Sequence, residues 1–275
     1  KIQYWKEYKS AILFHNKKDK DVINSPYDLE KYVSTAKFPI EVEMELCKQD
    51  REHGVKSISM EDIRKIGEEI CTYGVNVKIK DLGIGIGRES ILRIASVGTS
   101  TNKQKKIISE MPGWLKPTAE FGVGLQSAFL VVSTFKCNTH TRSDEHYEIT
   151  FGSGALAQYE GYINVKPIDL EEKDDAYGTC FEIFISEDKK MNQAEFPVCW
   201  EGQDVFSEDY AKMQPIRHSG ELMFQMISYL DSIIGEVLFP IHVNVKEIQG
   251  IKMALGMIQK KVRAIKLNIW KENVE

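Results

Sequence analysis

Between positions 40 and 46 the chain alternates without a break. Ile40, Val42, Met44 and Leu46 face one way, and Glu41, Glu43 and Glu45 the other. A period of two marks a half-buried strand, with the glutamates as ordinary charges on its solvent face. Ile2, Trp5, Tyr8, Ala11 and Ile12 recur instead at helical spacing, which predicts an amphipathic helix over 1–15 lying on a core. A polar stretch at 16–21 and the turn residues Asn24, Ser25 and Pro26 end that pattern. Ser59 is placed to cap a helix carrying Ile63, Ile66 and Ile70 and ending near Gly74. Val75, Val77 and Ile79 then alternate in a strand that runs straight into Asp81. A short helix is expected over 88–96, a long mobile loop over 97–120, and a glycine turn opening a buried helix over 121–132. Strand-like runs at 135–141, 146–151, 159–165 and 180–185 suggest an antiparallel meander. A second amphipathic helix over 221–234 presents Leu222, Met226, Tyr229, Leu230 and Ile233, and Ile241, Val243 and Val245 alternate in a last strand.

Composition narrows the function classes. The 275 residues are 42% hydrophobic and 28% charged, ordinary for a globular chain, with a formal net charge of -5 that argues against a nucleic-acid binder. Positions 252–275 run the other way, with six basic residues against two glutamates, and read as a solvated face or a basic patch for a partner. No apolar run approaches the roughly 20 residues of a membrane helix. Cys47, Cys71, Cys137, Cys180 and Cys199 are odd in number and contain no CxxC. That speaks against a disulfide framework or a zinc site and for free thiols in a reducing cytoplasm. The histidines form no HxxxH or HExxH spacing. A chain starting at Lys1, without Met or an apolar leader, is expected to be part of a longer one.

The chemistry concentrates in two glycine motifs. DLGIGIG begins at Asp81, directly after a strand, where glycines let a ligand approach the backbone and a carboxylate can accept from an amino group. FGVGL begins at Phe121 and opens a helix, whose bare N–H groups form a seat for phosphates. Each alone has a plain structural explanation, a surface turn or close helix packing. Together, with a polar loop between them, they suggest an adenine pocket, a phosphate seat and a lid. No GxxxxGK[ST] loop occurs, the dinucleotide fingerprint fails because Asp81 precedes the glycines, and Ser127 lies in no GxSxG elbow.

These residues resemble the GHKL ATPases, which include gyrase, heat-shock protein 90, histidine kinases and MutL. The heat-shock protein 90 nucleotide-binding domain is the nearest branch. DLGIGI from Asp81 resembles its DxGxGM box, IASVGT from Ile94 its IAKSGT lid segment, and EFGVGLQSAFLV from Glu120 its QFGVGFYSAYLV box. Gly178 and Thr179, followed by Phe181, Ile183 and Ile185, resemble its GTxIxL strand. The resemblance spans about 75–247. It implies an α/β (α+β) two-layer sandwich of Bergerat type: a mixed, mostly antiparallel sheet with helices on one face. It also implies a domain over 1–247 with a lid at about 97–120 and an insertion at about 48–74, followed by an extension or new domain at 248–275.

The same resemblance implies residue roles. Asp81 would accept the adenine amino group, with Thr179 holding it and its water, and Gly83, Gly85 and Ile86 would line the base pocket. Ser96, Gly98 and Thr99 would belong to the lid, and Gly122, Val123, Gly124 and Leu125 would offer main-chain donors to the phosphates. Ala119 stands where the family has its first box glycine and Ser96 where the lid has a lysine, which removes those phosphate contacts; Lys103, Lys105 and Lys106 read as a solvated loop, with substitution for the lid lysine as the alternative. The family's ExxxNxxDA helix, with its catalytic Glu and magnesium-binding Asn, is absent upstream of Asp81, whereas KIQYW at Lys1 resembles the stretch that follows it. The expected function is ATP or ADP binding, with slow Mg²⁺-dependent hydrolysis in an intact, cytoplasmic, homodimeric protein acting on a protein client. The alternatives are a non-hydrolysing nucleotide sensor or a nucleic-acid-linked ATPase resembling MutL.

Overall fold

The computed structural model describes residues 1–14, 25–50, 54–59, 61–62, 65, 71–94, 102–116, 125, 127–153, 161–168, 177–186, 214–234 and 237–246. They begin with helices α1 (Ile2–Phe14) and α2 (Pro26–Glu30), then strands β1 (Ile40–Asp50), β2 (Gly54–Ser57) and β3 (Thr72–Asp81). Helices α3 (Arg88–Ile94) and α4 (Asn102–Glu110) precede strands β4 (Thr134–His140), β5 (His146–Gly152), β6 (Tyr162–Pro167) and β7 (Gly178–Ser186). Helix α5 (Gln214–Ile233) and strand β8 (Ile241–Val245) follow. The fold is mixed α/β with few helices, and its hairpins β1–β2, β4–β5 and β5–β6 are antiparallel. The chain packs as two compact units, one of Lys1–Ile40, Lys80–Phe181 and Leu238–Pro240, the other of Glu41–Ile79, Glu182–Val237 and Ile241–Glu275.

In the first unit, α1 lays Tyr4, Trp5, Tyr8 and Ile12 into a core with Leu29, Val33, Met111, Leu115 and Phe239. Tyr4 meets Phe38 and Phe239 edge-on, at centroid separations of 5.7 and 5.5 Å, the favoured aromatic geometry. Ser25 donates its N–H to the Asp28 carboxylate at 3.1 Å and, with Pro26 in the first turn, starts α2 just past the expected break. Residues expected as a long loop carry α4 and a 3₁₀ turn at Gly113–Leu115, with Met111 and Leu115 buried. The cause is an apolar stripe of Ile107, Ile108, Met111 and Leu115 at helical spacing, hidden among lysines and other polar residues. The meander also differs from expectation. β4, β5 and β6 follow one another, with Cys137 opposite Ile149 and Ile149 opposite Val165, but β7 returns to the other side of β4.

In its described part the expected buried helix over 121–132 is helical at Leu125 and then tightens rather than continuing as a buried α-helix. Ser127–Leu130 is a 3₁₀ turn, with Leu130 85% and Val131 60% exposed. A tight turn of three residues points consecutive side chains to different sides. Phe129 therefore packs against Phe135 at 5.1 Å and Val132 is buried, while the two residues between them face out.

In the second unit the strand order is β2-β1-β3-β7, and β8 pairs with β1. Val42, Met44 and Leu46 are buried, as the alternation requires, together with Val75, Val77, Ile241 and Val243. The opposite face is laced with charge, with Lys246 bridging Glu43 at 2.8 Å and Glu45 at 3.6 Å, and Asn76 donating to Glu182 at 2.9 Å. Ser59 caps as expected, exchanging bonds with Asp62, but Ile63, Ile66 and Ile70 lie outside the described residues. Gly74 does not end a helix; it is a buried strand residue against the Ile185 backbone. Helix α5 starts earlier than expected and buries Ile216, Ser219, Met223 and Ile227. That stripe is one residue, about 100°, from the anticipated one. Leu222, Met226 and Leu230 instead line an apolar cavity of about 350 Å³ with Val42, Met44 and Val77.

The correction at 102–130 is testable by urea denaturation. Leu115→Ala is expected to cost about 2–5 kcal/mol, as buried leucines do. Leu130→Ala should stay within about 0.5 kcal/mol of the parent, the usual range for surface changes. Equal effects would contradict the packing.

Candidate functional site

The site grows out of the end of β3. Asp81 closes the strand, and the Gly83 N–H donates to its Oδ1 at 2.7 Å, a short turn that fixes the carboxylate against its own backbone. Gly85 continues the loop at φ +71, passing beside the His140 carbonyl where a Cβ would collide. On the neighbouring strand, Gly178 sits at φ +129, and a Cβ there would strike the Asp81 carbonyl. Only glycine permits that backbone approach. The next residue, Thr179, is 6% exposed. Five of the anticipated residues, Asp81, Gly83, Gly85, Ile86 and Thr179, thus gather where β3 ends and β7 begins.

Burial pushes the Asp81 carboxyl above its ordinary range, opposed by the Gly83 N–H and by the α-amino group of Lys1. Burial lowers that α-amino group in turn, and Asp81 counteracts the shift. Lys1, the residue just ahead of α1, therefore lies within electrostatic reach of the carboxylate. Fully buried Cys137 of β4 is held as a neutral thiol, pushed up to about 12 by burial and then by Cys180 and Asp81. A carboxylate in such surroundings is a strong acceptor for a ligand that replaces water.

Thr139 carries a role that no sequence motif announced. Its hydroxyl, on a residue 1% exposed, accepts from the Ile86 N–H at 2.6 Å and donates to the Gly178 carbonyl at 3.3 Å. One oxygen ties the glycine loop to the start of β7. The available signal was the inward face of β4, where Phe135 and Cys137 are followed by a hydroxyl in an apolar series.

The second motif is described only at its edge. Leu125 is helical and half-buried, while Ser96, Gly98, Thr99, Gly122, Val123 and Gly124 lie outside the described residues, as does the basic tail. Among the described residues, no group of three His, Cys, Asp or Glu side chains is arranged to hold a metal ion. Nor is any described helix long and apolar enough to cross a membrane. Cys47, Cys71, Cys137 and Cys180 are free thiols. No protein-family model matches the chain. A comparison with curated proteins likewise finds no match.

The raised Asp81 carboxyl has a stability consequence with a definite sign. The fold favours the protonated form, so this group supports folding below the ordinary carboxylate pKa of about 3.9 and loses that support as pH rises. Asp81→Asn does not ionise and keeps an oxygen for the Gly83 N–H. Its melting temperature should match or exceed the parent's at pH 7, with the difference shrinking as pH approaches about 4. A variant destabilised at pH 7 would show the carboxylate to be a net structural support.

Proposed function

We propose that this chain is the adenine-nucleotide-binding domain of a GHKL-type ATPase of the heat-shock protein 90 branch, built on the Bergerat-type sandwich. Asp81 accepts the exocyclic amino group of adenine, and Thr179 buttresses the strand end beside it. Gly83, Gly85 and Ile86 line the base pocket. Main-chain donors at Gly122, Val123, Gly124 and Leu125 receive the phosphates, with Ser96, Gly98 and Thr99 in the lid. Binding ATP and releasing ADP would drive a conformational cycle in a cytoplasmic homodimer that acts on a protein client.

The observation that carries this reading is a half-buried carboxylate, held by one backbone N–H at a strand end, beside a loop in which every second residue is glycine. Burying a charge costs free energy, and a fold retains one where a ligand uses it. The four boxes around it stand in the family's order, which a chance DxGxG turn would not produce. The Mg²⁺ that accompanies ATP would neutralise phosphate charge; among the described residues no group of three His, Cys, Asp or Glu side chains is arranged to hold it.

Calorimetric titration of the full gene product with ATP and ADP tests the assignment. Asp81→Asn should weaken both by at least about tenfold, since a hydrogen bond to a charged group contributes about 1.5–3 kcal/mol. Unchanged affinity in a folded variant would refute the base pocket.

A further inference from the structure

We propose that Glu145 is a positioning residue for the base loop: the turn joining β4 to β5 clamps residues 85–88 in the geometry that nucleotide binding requires. This rests on the reading of the site given above. The turn is rigid in itself. The Thr141 N–H donates to the Glu145 carbonyl at 2.9 Å, the Asp144 N–H to the Thr141 carbonyl at 3.0 Å, and the Glu145 N–H to the Thr141 hydroxyl at 3.1 Å. Asp144 completes it at φ +67, a conformation that Asp tolerates.

From this platform the Glu145 Oε2 accepts the Arg88 N–H at 2.7 Å, and a Cβ at Gly87 would press on the same oxygen. Together with Thr139 on the Ile86 N–H and the His140 carbonyl against Gly85, the hairpin engages four consecutive loop residues. It is anchored elsewhere as well. The His140 ring packs on Tyr177 at 4.7 Å, Arg142 lies over the same ring at 5.5 Å, and Arg142 reaches Glu7 of α1 at 3.7 Å. The turn therefore connects the glycine loop, the approach to Gly178 and, through Glu7, helix α1. Thr139 is sealed in, whereas Glu145 is half-buried and holds its loop residue through one charge-assisted bond. Holding a binding loop in place before the ligand arrives raises affinity by lowering the ordering cost.

The test compares Glu145→Ala and Glu145→Gln in the full gene product, reading MgATP and ADP affinity, amide exchange at Ile86 and Arg88, and melting temperature. Glu145→Ala should weaken both nucleotides about tenfold and strip protection from the Arg88 amide, with little change in melting temperature. Glu145→Gln retains an acceptor oxygen and should recover most of the affinity and protection. Parental affinity in Glu145→Ala, or an unaltered Arg88 amide, would overturn the proposal. An affinity loss that merely tracks unfolding, unrescued by Gln, would do the same. If the parent binds no nucleotide while the Arg88 amide still responds, the reading of the site fails and Glu145 is only a cap on α3, which also overturns the proposal.

Discussion

Where β3 ends, its last carbonyl lies so close to β7 that position 178 has no room for a Cβ. That backbone approach brings Asp81 and Thr179 to one place and withdraws part of the carboxylate from bulk water. Withdrawing a carboxylate from water opposes folding, and a single N–H from Gly83 offsets only part of the cost. The difference falls to the rest of the unit: the aromatic cluster around α1 and the interlocked strands β4, β5 and β6. Apolar packing thus carries the stability, and the half-buried strand end is the part the proposed function would use.

The glycine loop would be too loose to select a ligand by itself. Gly83, Gly85 and Gly87 permit its path but do not impose it. The restraint comes from β4, through the Thr139 hydroxyl, and from the turn beyond it, through the Glu145 carboxylate. Both groups accept from loop N–H donors, so they fix the backbone and leave the loop's open side to a ligand.

Much of this was legible in the sequence, for reasons that differ residue by residue. Alternation located β1 and β4 because each has one buried and one wetter face, and β3 because its valines alternate although Gly74–Val77 are all buried. Asp81 stood out because its glycines have no regular-structure explanation. Thr139 and Glu145 were not legible, since their partners are 53 and 57 residues away and depend on where the hairpin docks. The α4 stripe was masked by its lysines. The α5 face was misassigned because two adjacent apolar stripes run along one helix, one buried and one facing a cavity, and periodicity alone cannot rank them.

The central claim is that the Asp81 carboxylate recognises an amino group on the base. Inosine triphosphate differs from ATP at that point, with a carbonyl where adenine has its amino group, so the carboxylate would face another acceptor. In a direct calorimetric comparison on the full gene product, inosine triphosphate should bind at least about a hundredfold more weakly than ATP, because a site built to hydrogen-bond a donor rejects an analogue that lacks it. Equal affinity for the two would contradict the account.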